Sequence, residues 1–172
     1  MRIRVSGSTG GIGSAFVKVA SAAGHEIVAD APFDAFLYAV GTCPVKPLTR
    51  MTDDEFAEVL RVNCGLFVSQ LREIVTQKQY APTGLKVLAV SSVSATEGWA
   101  GGAAYCASKG ALSAVCRALD AELKPLKISV KSVEPRYIKT RMFDQGAGRM
   151  GVPASAAQDP EDFARGLLAD LV

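Results

Sequence analysis

Tyr105 and Lys109 stand four residues apart in a segment of helical period, which puts both side chains on one face of a helix, one turn apart. The pairing has a chemical use. A phenol with an ordinary pKa of about 10 stays protonated at neutral pH, and a nearby ammonium favours the phenolate, so this lysine would equip the tyrosine to exchange a proton with a bound substrate. The structural alternative is a tyrosine packed at a helix start beside a solvated lysine. Ser92 follows the apolar run Lys86 to Val90, at the carboxyl end of a strand where open α/β sheets bind ligands, and its hydroxyl can hydrogen-bond a substrate oxygen. Asn63 lies four and three residues after Val59 and Leu60, on the apolar face of its helix. A buried amide there needs partners, and a satisfied core asparagine is the ordinary reading.

A glycine-rich string, Ser6-Gly7-Ser8-Thr9-Gly10-Gly11-Ile12-Gly13, sits where a first strand (Ile3 to Val5) passes into a first helix. A turn in that place presents unpaired helix N-terminal N–H groups above the sheet, and glycines let the backbone approach a pyrophosphate without Cβ contact. A tight turn without a ligand remains the alternative. The spacing is a variant of the usual G-x-G-x-x-G dinucleotide fingerprint.

These residues need a scaffold, and the hydropathy pattern supplies one. Short β-branched runs alternate with helical segments, the signature of an α/β parallel sheet. Ile12, Ala15, Phe16, Val19, Ala20 and Ala23 form a helix face that Gly24 terminates. Phe36 to Val40 is a buried-type strand. Thr52 with Glu55 reads as a capping box opening a helix whose stripe runs through Phe56, Val59, Leu60, Phe67, Leu71 and Ile74. A strand at Lys86 to Val90, a helix from about Ala104 to Leu123 and a strand at Ile128 to Val133 follow. Asp159 and Pro160 start a terminal helix reaching about Leu171. The Gly- and Ala-rich stretch 144–158 has no clear period and reads as a mobile loop.

The chain has 172 residues, 49% hydrophobic and 21% charged, the length and composition of one globular domain. Its 19 basic and 17 acidic residues are scattered, which gives no footprint for nucleic acid or an anionic membrane. Cys43, Cys64, Cys106 and Cys116 include no C-x-x-C pair, and His25 is the single histidine, so no metal site is expected. Reduced cysteines and the absence of a signal-peptide-like or membrane-spanning run point to a cytoplasmic protein.

Taken in order, Ser6-Gly7-x-x-x-Gly11-Ile12-Gly13, Asn63, Ser91-Ser92, Tyr105-Cys-Ala-Ser-Lys109, and Pro135 with Thr140 resemble the short-chain dehydrogenase/reductase family from residue 1 to about 143. The resemblance implies a Rossmann-like parallel sheet flanked by helices and a carbonyl–alcohol oxidoreductase using NAD or NADP. It implies Tyr105 as proton donor or acceptor, Lys109 lowering its pKa and holding the nicotinamide ribose, Ser92 positioning the carbonyl, and Asn63 supporting a water. Cofactor contacts would come from Gly7, Ser8, Gly11, Ile12, Gly13, Ala39, Gly41, Tyr105 and Lys109, and from Pro135, Ile138 and Thr140 beside the nicotinamide. Two departures stand out. Arg136 occupies the position after the proline where the family has glycine, and Tyr38-Ala39-Val40-Gly41 lacks the family's asparagines.

The chain is also shorter than the family pattern. Glu26 to Ala29 looks like a second strand ending at Asp30, a candidate for the adenosine ribose or simply a turn residue. Yet Asp34 already leads into the next strand. The link from Asp30 reaches at most about 14 Å, whereas returning along a five-residue strand takes about 16 Å. Residues 25–33 are therefore expected to be a stub or irregular connection, and the sheet to be shortened at both edges. The expected order is the family's strands 1-4-5-6, with or without a fragment of strand 2.

Three functions follow: the oxidoreductase, a catalytically impaired binding or assembly module of the same fold, and a 3-oxoacyl thioester reductase. The partner set is a small carbonyl or alcohol substrate and a second copy of the chain. Ala107, Ala111, Ala114 and Ala118 form a small-residue stripe that either packs on the sheet or meets another helix. The family pairs this helix and the one starting at Thr52 across a two-fold axis, so a homodimer is expected.

Overall fold

The computed structural model describes residues 1–172, the side chains of Arg149 and Met150 excepted. Its sheet has five parallel strands: β1 (Arg2–Ser6), β2 (Glu26–Ile27), β3 (Ala35–Tyr38), β4 (Leu85–Val90) and β5 (Ile128–Val133), in the spatial order β2-β1-β3-β4-β5. Helix α1 (Gly11–Ala22) joins β1 to β2. Between β3 and β4 lie α2 (Asp53–Leu60), a π-helical segment Arg61–Gly65 and α3 (Leu66–Thr76). Helix α4 (Ala103–Leu123) precedes β5, and α5 (Arg141–Gln145) and α6 (Pro160–Leu171) follow it. This is the expected α/β architecture and strand order.

The local signals act as their chemistry dictates. Thr52 Oγ1 accepts from the Glu55 N–H at 3.2 Å while the Glu55 carboxylate accepts from the Thr52 N–H at 2.9 Å, a reciprocal cap for α2. Gly24, at φ +81°, takes the left-handed conformation that ends α1. The Asp159 carboxylate accepts the Glu161 N–H at 2.8 Å, with Pro160 at the first helical position.

The short link after β2 is a stub, as chain reach requires. Residues Glu26 and Ile27 pair with Arg2 and Ile3, and the chain then turns back at once. Asp34 accepts the Arg2 N–H at 2.7 Å, and Phe33 bridges to Tyr80, so the connection is tied to the sheet floor by hydrogen bonds rather than by a helix. Residues 144–158, expected to lack structure, hold 3-10 turns at Ala147–Met150 and Ala154–Ala156, and Ile138 bridges to Gln158.

Two apolar layers enclose the sheet. Phe36, Tyr38, Phe67, Leu71, Val87 and Leu112 pack between one face and α3 and α4. Ile3, Phe16, Leu37, Leu88, Leu167 and Leu171 pack between the other face and α1 and α6. Alternate side chains of each strand serve opposite layers, so both faces are buried, as parallel sheets require. The carboxyl ends of β1, β3, β4 and β5 are thereby held in one row.

Candidate active site

Along that row lies a cavity of about 260 Å³. Ser92, Tyr105 and Lys109 line it, together with Ile12, Ala39 and Gly41, and so do Pro135, Ile138 and Thr140. Residues spread over 129 positions of sequence, from Ile12 to Thr140, converge here because β1, β3, β4 and β5 end side by side.

Lys109 is not the solvated lysine of the bland alternative. It is 4% exposed, and its ammonium donates to the Val90 carbonyl at 2.7 Å. Its Nζ sits 5.8 Å from the centre of the Tyr105 ring. Burial pulls the ammonium down to about 8, against which the nearby thiols of Cys43, Cys64 and Cys116 act. For Tyr105 burial pushes the phenol up to about 12, Cys43 adds to the rise and the Ser92 hydroxyl opposes it. In this arrangement desolvation outweighs any help the phenolate receives, and at neutral pH Tyr105 holds its proton.

Ser92 Oγ accepts the Ser94 N–H at 3.1 Å, which fixes the hydroxyl oxygen and leaves its own proton for a ligand. Ser94 Oγ in turn accepts the indole N–H of Trp99 at 3.1 Å, and Trp99 tilts against Tyr105 with ring centres 6.3 Å apart.

Asn63 does not line the cavity. It is fully buried within the π-helical segment, where it donates to the Thr42 carbonyl at 2.9 Å and the Ser108 hydroxyl at 2.8 Å, and accepts the Thr42 N–H at 2.8 Å. Its amide fastens the Gly41-Thr42 backbone to α4 one turn from Tyr105. The π segment loosens the backbone hydrogen-bond ladder here, and Tyr38 reaches the Val62 carbonyl at 2.7 Å. Tyr38 thus ties β3 to this helix through its hydroxyl.

The glycine turn is shaped by contacts no side chain would allow. A Cβ on Gly13 would lie 2.0 Å from the Gly7 carbonyl oxygen, and one on Gly7, at φ +87°, 2.7 Å from that of Ala39. Helix α1 begins with no side-chain cap and no acid in its first turn, so its amides present an uncompensated positive end. Thr140 covers Gly11, where a Cβ would meet the threonine methyl at 2.5 Å. Gly11 also lines an adjoining groove with Gly10, Gly41 and Arg141. Gly7, Ser8, Gly13 and Asp30 line neither hollow. Asp30 is exposed in the link after β2, and among the described residues no cluster of metal-ligating side chains occurs.

Several lining residues carry no advance signal of their role: Cys43 joins the wall from a loop, and Met142 and Phe143 from the short helix α5, whose positions only the tertiary fold sets. Arg136 was visible as a departure from the family pattern, whereas Trp99, the one tryptophan, drew no reading from the sequence. No helix among the described residues is long and apolar enough to cross a membrane.

A family model for short chain dehydrogenase matches residues 31–149. The chain belongs to the short-chain dehydrogenase family. It is 31% identical over 112 residues to a cyclopentanol dehydrogenase of Comamonas testosteroni, covering 65% of this chain and 44% of that one. It is 29% identical over 156 residues to a 3-oxoacyl-[acyl-carrier-protein] reductase of Aggregatibacter actinomycetemcomitans, covering 82% of this chain and 64% of that one. The chain thus spans between about two fifths and two thirds of these relatives. A short chain dehydrogenase family protein from Francisella tularensis superposes with a TM-score of 0.83 at 15% identity, over 99% of this chain and 90% of that one. A short chain dehydrogenase from Burkholderia cenocepacia, solved in complex with NADP, gives 0.80 at 18% identity, over 99% and 83%. These structures establish the fold.

Proposed function

We propose that this member of the family is an NAD(P)-dependent oxidoreductase that interconverts a carbonyl and a secondary alcohol by hydride transfer, with Tyr105 giving or taking the proton. The observation that carries the reading is the meeting of Tyr105, Ser92 and a buried Lys109 in one cavity beside the glycine turn. Two structural neighbours, the Burkholderia dehydrogenase solved with NADP and a 4-hydroxyisoleucine dehydrogenase mutant solved with NADH and succinate, agree with that choice of cofactor.

The chain's own atoms suit the nicotinamide and diphosphate parts of such a cofactor. Gly7 and Gly13 let the turn close where a Cβ would strike backbone, and α1 offers first-turn N–H groups to a diphosphate. The Lys109 ammonium spends one N–H on Val90, which leaves two for ribose hydroxyls. Ile12, Ala39, Pro135 and Ile138 provide apolar wall. On the adenosine side β2 is two residues long and Asp30 stands apart, so little remains to tell NAD from NADP. Bound there, a reduced nicotinamide supplies the hydride.

Burial keeps the Tyr105 phenol protonated at neutral pH, the form that can give a proton to a carbonyl oxygen during reduction. Ser92, its oxygen held by the Ser94 N–H, donates its proton to the carbonyl oxygen and sets it beside the phenol. Asn63 acts as a positioning residue, keeping Thr42 and α4 in register. The curated relatives named above include a dehydrogenase of a cyclic alcohol and a reductase of acyl thioesters, so both substrate classes belong in a first screen.

A second reading, a binding module that has lost turnover, draws on the short β2 and on Thr140 lying over Gly11. Titrating NADH and NADPH with purified protein and following the reduced-nicotinamide fluorescence separates the two. Saturable enhancement or quenching, in the range of tens of micromolar to millimolar and similar for both cofactors, supports the enzyme. Silence up to millimolar cofactor supports the module.

A further inference from the structure

Arg136 replaces the small residue expected after Pro135, and the structure shows what the larger side chain does. Its guanidinium forms a two-pronged pair with Glu97, Nη2 to Oε1 at 2.7 Å and Nη1 to Oε2 at 3.2 Å. Both residues line the same cavity as Tyr105 and Ser92. Among the described lining residues Glu97 is the one carboxylate, and Arg136 and Lys109 are the cations. Lys109 is buried, and its remaining N–H groups are assigned above to the ribose, so the half-exposed Arg136 is the cation accessible to an entering substrate.

We infer that Arg136 selects substrates carrying a carboxylate, which displaces Glu97 from the guanidinium and thereby sets its oxo group toward Ser92 and Tyr105. The inference rests on the carbonyl-reductase reading of this cavity and adds the substrate class. Three observations support it. The Glu97 carboxylate itself demonstrates that a planar, two-oxygen anion fits the guanidinium fork in place. The pair is half-exposed, with side-chain exposures of 59% and 50%, so exchanging one carboxylate for another forfeits little. The remaining wall near Tyr105, made by Trp99, Ile138, Met142 and Phe143, is apolar and fits a short hydrocarbon linker between carboxylate and oxo group.

The sole tryptophan lies in this wall, which gives a direct binding signal without turnover. The probes are 3-oxobutanoate and 5-oxohexanoate, each against its methyl ester, titrated into the full chain with Trp99 fluorescence as readout, without cofactor. In the wild type at least one acid half-saturates at a concentration at least tenfold below its ester. Arg136→Gly removes that advantage, Arg136→Lys restores part of it, and Glu97→Gln tightens acid binding severalfold because the internal competitor is gone. A role confined to bracing the loop after β5 predicts the reverse for Glu97→Gln, since breaking a brace gains nothing for the ligand. Equal half-points for acid and ester, no response to either, or an acid preference that survives Arg136→Gly overturns the inference. Carboxylate selectivity without any nicotinamide-dependent turnover would instead leave Arg136 as the anion contact and overturn the oxidoreductase reading.

Discussion

Replacing Lys109 with methionine removes a charge that the fold keeps 4% exposed. Burial lowers the folded-state pKa of this ammonium from 10.5 to about 8, which corresponds to about 3 kcal/mol of disadvantage for the charged form. The folded value lies below the unfolded one. At neutral pH both states bind the proton and the folded chain bears the full cost. Between about pH 8 and pH 10.5 the unfolded chain holds the proton that the folded chain has released, so Lys109 makes the wild type more stable as pH rises through that window. Methionine keeps the stem's packing but leaves the Val90 carbonyl without its 2.7 Å donor, a loss of about 1 to 2 kcal/mol. Lys109→Met is therefore expected to be more stable than wild type by about 1 to 2 kcal/mol at pH 7, and, since the wild type gains about 2.5 kcal/mol relative to it by pH 10, to be the less stable of the two there by about 1 kcal/mol. Cys43, Cys116 and Tyr105, all pushed up by burial, act in the opposite sense at high pH. They are present in both proteins, but Cys43 and Cys116 also feel the Lys109 charge, so the difference between urea midpoints measured from pH 7 to pH 10 reports Lys109 together with its coupling to those thiols. A difference that stays constant across that range, or a variant less stable than wild type at pH 7, would refute the reasoning.

Three further outcomes are expected. Asn63→Ala deletes one buried and two part-buried hydrogen bonds and strands the Thr42 carbonyl and N–H, so urea unfolding should show a loss of about 2 to 4 kcal/mol; a loss under 1 kcal/mol would contradict that tie. Gly13→Ala places a methyl 2.0 Å from the Gly7 carbonyl oxygen; it should lower thermal stability and at least tenfold weaken NADH binding by fluorescence, and wild-type values in both would show the turn is looser than described. Ala107, Ala114 and Ala118 are exposed on α4 rather than packed on the sheet, so light scattering is expected to give close to twice 18.0 kDa, with Ala114→Arg shifting it toward the monomer; a wild-type monomer at high concentration would remove the dimer.

What was legible in the sequence is what depends on neighbours in the chain. The Thr52–Glu55 cap, the Gly24 stop and the Asp159–Pro160 start each involve atoms within one turn, and they stand as read. The stub after β2 was legible for a different reason, since the reach of the short link forbids a full strand whatever the tertiary context. The helix over Phe56 to Ile74 was read as continuous, yet it carries the π segment at Arg61–Gly65. That insertion answers a tertiary demand, the seating of Asn63 between Thr42 and Ser108, which no periodicity encodes. At the site, the i to i+4 spacing placed Tyr105 and Lys109 together, but the strength of Lys109's burial and its Val90 partner come from β4, nineteen residues away. Asp30 was a candidate by analogy of position alone, and the short β2 leaves it outside the cavity.

The claim that Tyr105 exchanges the proton in a nicotinamide-dependent reaction is tested most directly by comparing wild type with Tyr105→Phe. Both are mixed with NADH or NADPH and a panel of small ketones, oxo acids and 3-oxoacyl thioesters, and oxidation is followed at 340 nm, about the wavelength at which reduced nicotinamide is commonly read. The account predicts carbonyl-dependent oxidation by the wild type, a loss of about 100-fold or more in the variant, and cofactor affinity within about twofold of wild type as read by fluorescence, because Phe keeps the ring and lacks only the hydroxyl that exchanges the proton. Turnover equal in the two proteins would contradict it.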